Sequence, residues 1–127
     1  KKSKKKVILV SQMPNFYFKN NRSSIDQFYF TNNRMPNTSE LSKLEKEKFK
    51  LVPSSVDKID DVLNIIAKRN NIKFLNRKNL ICKVHHQKCF ILTDNNEKIN
   101  IDSDHLSIAG AKFIGNRIFN LNWLNLN

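Results

Sequence analysis

The chain has 127 residues, which is enough for one modest domain with a single core. Hydrophobic residues make up 39% and charged residues 27%, as in ordinary globular proteins, and no apolar run is long enough to span a membrane. The formal net charge is +12, which admits an anionic partner such as a glycan, a lipid surface or a nucleic acid. Because there is no zinc-finger spacing, RNP-like aromatic motif or convincing recognition helix, we expect no nucleic-acid partner.

The N-terminal stretch KKSKKK leads directly into VILV, without a signal peptide or an initiator methionine. We expect such a start from a fragment of a longer protein, whose missing upstream part could hold a membrane or export segment. The continuous run of β-branched and leucine residues predicts a buried strand over residues 6–11. Such a strand suits the middle of a parallel sheet, and Pro14 ends it.

Residues 15–38 are rich in Asn, Ser and aromatic side chains, which is typical of a long irregular surface segment. Its aromatic residues could line a substrate cleft or simply tether the segment, and we favour the tether. The next stretch, TSELSKLEKEKFK, predicts a short amphipathic helix, because Leu41, Leu44 and Phe49 alternate with charged residues at helical spacing.

The strongest helical pattern follows in VPSSVDKIDDVLNIIAKRNN, where Ser54 or Ser55 can cap the first turn. The apolar face of this helix is predicted to consist of Val56, Ile59, Val62, Leu63 and Ile66. After it, IKFLN predicts a short strand, and the stretch LICKVHHQKCFILTDNNEKIN is loop-like. A further strand is possible at Phe90 to Thr93, with a turn at DNNEK.

Ser107 is placed to cap a final helix, IAGAKFIGNRIF, whose two glycines, Gly110 and Gly115, are expected to permit close packing on the sheet. One side of this helix carries Ile108, Ala111, Ile114 and Ile118. The tail, NLNWLNLN, could be a frayed end or an edge strand.

The order of strands and helices predicts an α/β domain with a parallel sheet, and no internal repeat is visible. We treat residues 1–127 as one domain part with four sections. These are a strand and its approach (1–14), the irregular segment (15–38), a section of helices and strands that ends in an Asp-His motif (39–119), and the tail (120–127).

Asp102 and His105 lie three residues apart, immediately before the final helix. A general base for acyl transfer needs an imidazole with one nitrogen facing a nucleophile and the other donating to a carboxylate. An aspartate three residues earlier on a tight turn can reach the histidine ring. The bare spacing also suits a structural pair of loop residues, and taken alone it favours that interpretation.

The residues around the pair carry more information. DSDHLSIAGAKFIGNRI resembles the final block of the SGNH (GDSL-like) hydrolase superfamily, which has Asp, two residues, His-Leu-Ser and a Gly-Ala helix. It is most similar to the SGNH domain at the C-terminus of bacterial membrane O-acyltransferases, the polysaccharide and O-antigen acetylases. The resemblance extends over residues 56–119 and to VILVSQMPNF. It departs at Asn100 and Ile101, where relatives usually carry an aromatic residue shortly before the aspartate.

This resemblance implies a three-layer αβα, flavodoxin-like SGNH fold with a parallel sheet, of which the chain is the C-terminal portion. It implies a Ser-His-Asp triad in which His105 is the general base and Asp102 its orienting carboxylate. The implied function is O-acyl transfer, in particular O-acetyl transfer to a bacterial surface polysaccharide or glycolipid. A membrane acyltransferase domain would deliver the acyl group, without a cofactor, to a periplasmic domain of an inner-membrane protein.

The nucleophile is missing from the pattern, because the superfamily places it in an N-terminal Gly-Asp-Ser block and no such string exists here. Ser11, at the end of a predicted parallel strand, is a weak internal candidate. We therefore expect the serine to lie upstream of Lys1. On that interpretation this chain alone should not turn over substrate at the rate of a complete triad.

Cys82 and Cys89 flank His85 and His86 in CKVHHQKC, and three interpretations compete. A disulfide fits an oxidising compartment, and the resemblance implies an extracytoplasmic domain. The spacing between each cysteine and its nearer histidine would suit zinc ligands, but all four residues lie within eight positions of the sequence. Structural zinc sites usually have two ligand pairs separated by a longer segment. Free thiols in a cytosolic protein are the third. We favour the disulfide, with no metal site and with both histidines exposed.

Two other functions stay open alongside O-acyl transfer. An esterase or lipase-type hydrolase would use the same triad with water as acceptor. A non-catalytic basic module for an anionic glycan or nucleic acid would need no triad at all, and predicts a continuous cationic face.

Overall fold

Two short parallel strands form the sheet in the computed structural model, which describes residues 6–125. β1 (Ile8–Val10) pairs with β2 (Lys73–Leu75), so that Ile8 lies opposite Lys73 and Val10 opposite Leu75. Parallel strands need a long crossover, and here the intervening chain is helical, which confirms the predicted α/β fold. Most of the lysine-rich start (residues 1–5) and the end of the tail (residues 126–127) lie outside the described residues.

Five helices and a small hairpin complete the described fold. The helices are α1 (Ser24–Asn32), α2 (Thr38–Lys50), α3 (Ser54–Arg69), α4 (Lys78–Ile81) and α5 (Ile108–Asn120). β3 (Cys82–Lys83) and β4 (Lys88–Cys89) form an antiparallel pair that a 3₁₀ turn connects. None of the helices within residues 6–125 is both long and apolar enough to cross a membrane.

The segment 15–38 is not irregular throughout, as its composition predicted, because it contains a 3₁₀ turn (Lys19–Asn21) and α1. The Ser23 hydroxyl accepts the backbone N–H of Asp26 at 3.3 Å and donates to its carboxylate at 2.8 Å. Asn33 ends the helix in the left-handed conformation, with a φ of 50°. Ser23 and Asn33, which suggested a loop, are thus the caps of a helix.

Two of the aromatic residues of this segment, Phe16 and Phe18, act as the predicted tether, whereas Tyr17, Tyr29 and Phe30 are exposed. Phe16 is fully buried and Phe18 nearly so, and their rings stack with centroids 5.9 Å apart. Both belong to the main core cluster, together with Leu80, Ile81 and Ile114. The start of the segment is therefore fixed to the core by apolar burial.

Helix α2 follows the prediction, and Asn37 and Glu40 close a capping box at its start. Helix α3 has the predicted extent, but Pro53 rather than a serine occupies the N-cap. Its buried residues are Val56, Asp60 and Ala67, whereas most of the predicted apolar face is exposed. The described sheet has two strands, and α3 packs on β2 with one narrow stripe of its surface.

The section after α4 also differs from expectation. In place of a strand at Phe90 to Thr93 there is a single antiparallel bridge between Leu92 and Lys98, around the predicted DNNEK turn. Up to residue 125, where the described residues end, the tail forms no strand but is attached to the rest of the fold. Trp123 packs against the core, and the Lys73 ammonium donates to the carbonyl of Leu124 at 2.8 Å.

Helix α5 begins as predicted, because the Ser107 hydroxyl accepts the backbone N–H of Gly110 at 2.9 Å. A Cβ at position 110 would lie 2.1 Å from the carbonyl oxygen of Ile99, so only glycine fits this close approach. A Cβ at position 115 would meet nothing within 4 Å outside its own helix, which contradicts the predicted packing role for Gly115. Ile108 is exposed rather than part of the buried face, whereas Ile114 is buried.

The two glycines provide a matched pair of substitutions. Gly110→Ala should destabilise the fold by about 2 kcal/mol or more, because the added methyl overlaps backbone that cannot rotate away. Gly115→Ala should stabilise it by about 0.5–1 kcal/mol, because alanine is the better helix former and the site is open. Urea unfolding of both variants measures the difference. Equal shifts in the unfolding free energy would contradict the close approach at Ile99.

Candidate functional site

Asp102 organises a tight loop between the core and helix α5, which we call the dyad loop (residues 100–106). Its Oδ1 atom accepts the backbone N–H groups of Asp104 and His105, each at 2.9 Å. The backbone N–H of Ile101 donates to the carbonyl of His105 at 2.9 Å, and Asn100 pairs with Leu106 in an antiparallel bridge. An aspartate side chain that binds the backbone two and three residues on is a standard way to fix such a turn.

The same carboxylate contacts the His105 ring. Nδ1 of His105 lies 2.9 Å from both Oδ1 and Oδ2 of Asp102. An ionised carboxylate only accepts hydrogen bonds, so Nδ1 carries the proton and Nε2 holds the free lone pair of the neutral ring. The histidine side chain is 73% exposed and the aspartate side chain 24%, so the ring is accessible while its partner is only partly covered. Among residues 6–125, nothing hydrogen-bonds to Nε2.

The pair shifts both pKa values. The hydrogen bond to Asp102, and then its negative charge, raises the pKa of His105 above the ordinary histidine value. The pKa of Asp102 is lowered, first by the backbone N–H of Asp104 and then by the His105 side chain. The turn therefore keeps the carboxylate ionised, and the carboxylate in turn favours the imidazolium form. That is the electrostatic arrangement of a general base that must store a proton.

The segment before α1 braces the other side of the dyad loop. The backbone N–H of Phe16 donates to the carbonyl of Ser103 at 3.2 Å, and that of Phe18 to its hydroxyl at 3.3 Å. The side chain of Asn21 accepts the N–H of Ser103, and that of Asn15 donates to Asp104. These contacts were not predictable from the sequence, because asparagines are frequent throughout the chain.

Ser11 is not brought to the pair. It is 2% exposed, and its hydroxyl accepts the backbone N–H of Arg77 at 2.7 Å and donates to the carbonyl of Gln12 at 3.3 Å. The hydroxyl thus links the end of β1 to the turn after β2, which is a structural role. Over the described part of the chain, no serine hydroxyl is hydrogen-bonded to His105.

Cys82 and Cys89 form a disulfide, as predicted, and are buried at 3% and 0% exposure. The bond closes the β3–β4 hairpin, and His85 and His86 lie exposed in its turn. Because the two sulfur atoms bind each other, neither is free to ligate zinc. Within residues 6–125 there is no group of three or more His, Cys, Asp or Glu side chains suited to a metal ion.

Comparison with known proteins relates this chain to a family. A family model described as "SGNH domain (fused to AT3 domains)" matches residues 1–119. Among solved structures, the fold is similar to the periplasmic domain of a lipopolysaccharide acetyltransferase from Salmonella ser. Paratyphi A, with a TM-score of 0.57 at 15% sequence identity. The likeness covers 92% of this chain and 41% of that one, so this chain spans less than half of its structural relative. No curated protein matches the sequence.

The Asp102–His105 contact predicts how the histidine titrates. Asp102→Asn removes the negative charge that raises the pKa of His105, so this pKa should fall in the variant. NMR titration of the ring protons measures it, with the signals of His85 and His86 as internal references. An unchanged His105 titration would mean that the contact does not persist in solution.

The sign of the effect on stability follows from the same shifts. The contribution of His105 is fully present below the ordinary histidine pKa and is lost as the pH rises through its raised value. The contribution of Asp102 is present above the ordinary aspartate pKa and is lost as the pH falls through its lowered value. The pair therefore stabilises the loop most in mildly acidic solution, and only weakly, because both groups face water.

Proposed function

This chain belongs to the family of SGNH domains that are fused to AT3 domains, and on that premise we propose that it supplies the histidine and aspartate of an O-acyltransferase site. The observation that carries the proposal is the placement of both Asp102 carboxylate oxygens 2.9 Å from Nδ1 of an exposed His105. The family match and the fold of the acetyltransferase domain support an acyl-transfer role.

In the proposed reaction, Nε2 of His105 removes the proton of a serine hydroxyl, and the serine oxygen attacks the carbonyl carbon of an acyl donor. Asp102 holds the ring in the required tautomer and stabilises the imidazolium. When the tetrahedral intermediate collapses, the imidazolium gives its proton to the leaving group and an acyl-enzyme remains. His105 then deprotonates an acceptor hydroxyl, whose oxygen attacks the acyl carbon. As the acylated acceptor forms, the imidazolium returns the proton to the departing serine oxygen.

The serine in this scheme comes from outside the described residues. The hydroxyl of Ser11 is buried and already engaged on both sides by backbone groups, so it is unsuited to attack a carbonyl carbon. A nucleophile must be within hydrogen-bond reach of its base, and an exposed Nε2 leaves room for one to approach.

The proposed donor is an acyl group, in particular acetyl, delivered by the AT3 membrane domain that the family description names. The proposed acceptor is a hydroxyl of a bacterial surface polysaccharide or glycolipid, by analogy with the lipopolysaccharide acetyltransferase of similar fold. The Cys82–Cys89 disulfide supports an oxidising compartment, and we place the domain on the periplasmic side of the inner membrane.

Hydrolysis is the second candidate, because water can replace the sugar hydroxyl at the same acyl-enzyme. The 73% exposure of the His105 side chain favours it when no acceptor is bound. A purely binding role for this basic chain would leave unexplained why both carboxylate oxygens are aligned with the ring nitrogen of a solvent-facing histidine.

Substitution of the pair in the full-length protein tests the proposal. His105→Gln should abolish acetyl transfer to the polysaccharide, and Asp102→Asn should lower kcat by about 10⁴-fold, as expected when the carboxylate no longer fixes the tautomer. The measurement is acetyl incorporation into purified polysaccharide from a labelled acetyl donor.

His86→Gln is the matched control, because His86 is an exposed histidine in the disulfide hairpin. It should leave the rate unchanged. A wild-type rate of acetyl transfer in the His105→Gln protein would contradict the proposal. Loss of polysaccharide acetylation together with retained ester hydrolysis in Asp102→Asn would instead point to a different base.

A further inference from the structure

A lysine lies buried beneath the dyad loop. Lys48, in the last turn of α2, is 1% exposed. Its ammonium group donates to the carbonyl of Phe90 at 2.6 Å and to Oδ1 of Asn100 at 2.7 Å. The same nitrogen lies 4.4 Å from the centre of the Phe16 ring. One buried cation thus contacts three residues, each of which is far from Lys48 in the sequence.

Two of these three residues hold the dyad loop. Asn100, itself 6% exposed, is the first residue of the loop and pairs with Leu106 at its end. Phe16 donates its backbone N–H to Ser103, which lies between Asp102 and His105 in the chain. The ammonium group of Lys48 therefore ties the base of the loop to the segment that braces its middle.

The energetics of Lys48 indicate that it is not simply a stabilising residue. Its hydrogen-bond partners are a carbonyl and an amide oxygen, so no carboxylate is bonded to offset the cost of removing the charge from water. Burial lowers its pKa to about 7, opposed by the charge of Glu45 on the same helix. A hydrophobic side chain of similar volume fills such a site at less cost in desolvation.

We propose that Lys48 is a positioning residue for the Asp102–His105 pair, because its ammonium group holds Asn100 and thereby fixes the loop that presents both side chains. The inference rests on the proposed function, since it names a residue that serves the same site. Lys48 does not touch the reacting atoms; it acts through Asn100. A site whose supporting residues are removed loses geometry, and small displacements of a catalytic group lower the rate strongly.

Lys48→Met tests this by removing the donors while keeping the length of the side chain. We expect kcat for acetyl transfer to fall by about 10- to 100-fold with little change in KM, because the loop loses its anchor but the substrate contacts remain. We also expect the raised pKa of His105 to fall towards its ordinary value, as measured by NMR titration of the ring. If Lys48 had a purely structural role, its substitution would not change the pKa of His105, and it would not lower kcat while leaving KM unchanged.

Lys78→Met is the matched control. Lys78 is also buried, at 6% exposure, and its ammonium group also lies near an aromatic ring, 4.7 Å from the centre of Phe49. It pairs with Asp57 and has no contact with residues 100–106 among the interactions of the described residues. This variant should lose stability without changing the His105 titration.

Asn100→Ala removes the same hydrogen bond from the side of the dyad loop. It provides the test if the Lys48→Met protein does not fold. It should produce the same fall in the pKa of His105, and the double variant should show no further fall, because both changes break one link. Additive shifts, or an unchanged His105 titration in either folded single variant, would overturn the positioning role.

The test separates this inference from the proposed function. If His105→Gln abolishes transfer while Lys48→Met leaves both kcat and the His105 titration unchanged, the positioning role is wrong and the proposed function stands. If Lys48→Met changes the titration but His105→Gln retains wild-type transfer, the link from Lys48 to the loop is real and the proposed function is wrong.

Discussion

The site depends on how closely helix α5 approaches the backbone of Ile99. The N–H of Ser107 donates to the Ile99 carbonyl at 2.8 Å, and the Cα of Gly110 lies so near that a side chain there has no room. This contact brings together the two ends of the stretch that contains Asp102 and His105. A loop with pinned ends has few conformations, so a single carboxylate can organise the turn inside it. The orientation of the His105 ring therefore depends on the backbone contact between Ile99 and the start of α5.

Local patterns in the sequence were enough to predict the elements that local physics governs. Helix α2, the Ser107 cap and the short strand β2 depend on capping residues and hydrophobic spacing, and the structure has them where expected. The Asp102–His105 contact was predictable for the same reason, because it spans three residues. Helix α1 was missed because serine and asparagine are common both in loops and at helix ends, so the composition of the segment did not reveal that Ser23 and Asn33 cap a helix.

Contacts between distant segments were not predictable from the residues alone. Nothing around Lys48 distinguishes it from the other lysines of α2, and its burial follows only from the packing of Phe90, Asn100 and Phe16 around it. The role of Gly110 could be inferred as close packing, but Gly115 has the same local pattern and meets open space. The apolar face of α3 was assigned from periodicity, which reports hydrophobic residues but not whether the described sheet is wide enough to cover them.

That uncovered face has a consequence for how copies of the chain behave in solution. Ile59, Val62, Ile65 and Ile66 are each more than two-fifths exposed on one helix, and such a patch attracts other apolar surfaces. The net charge of +12 opposes this attraction through mutual repulsion, which acts over a Debye length of about 10 Å at 0.1 M salt. Added salt shortens that range while leaving the apolar attraction intact. The tendency of the chain to associate therefore depends on two opposing effects, the apolar attraction of α3 and the repulsion between like charges. The ionic strength decides which of the two is larger.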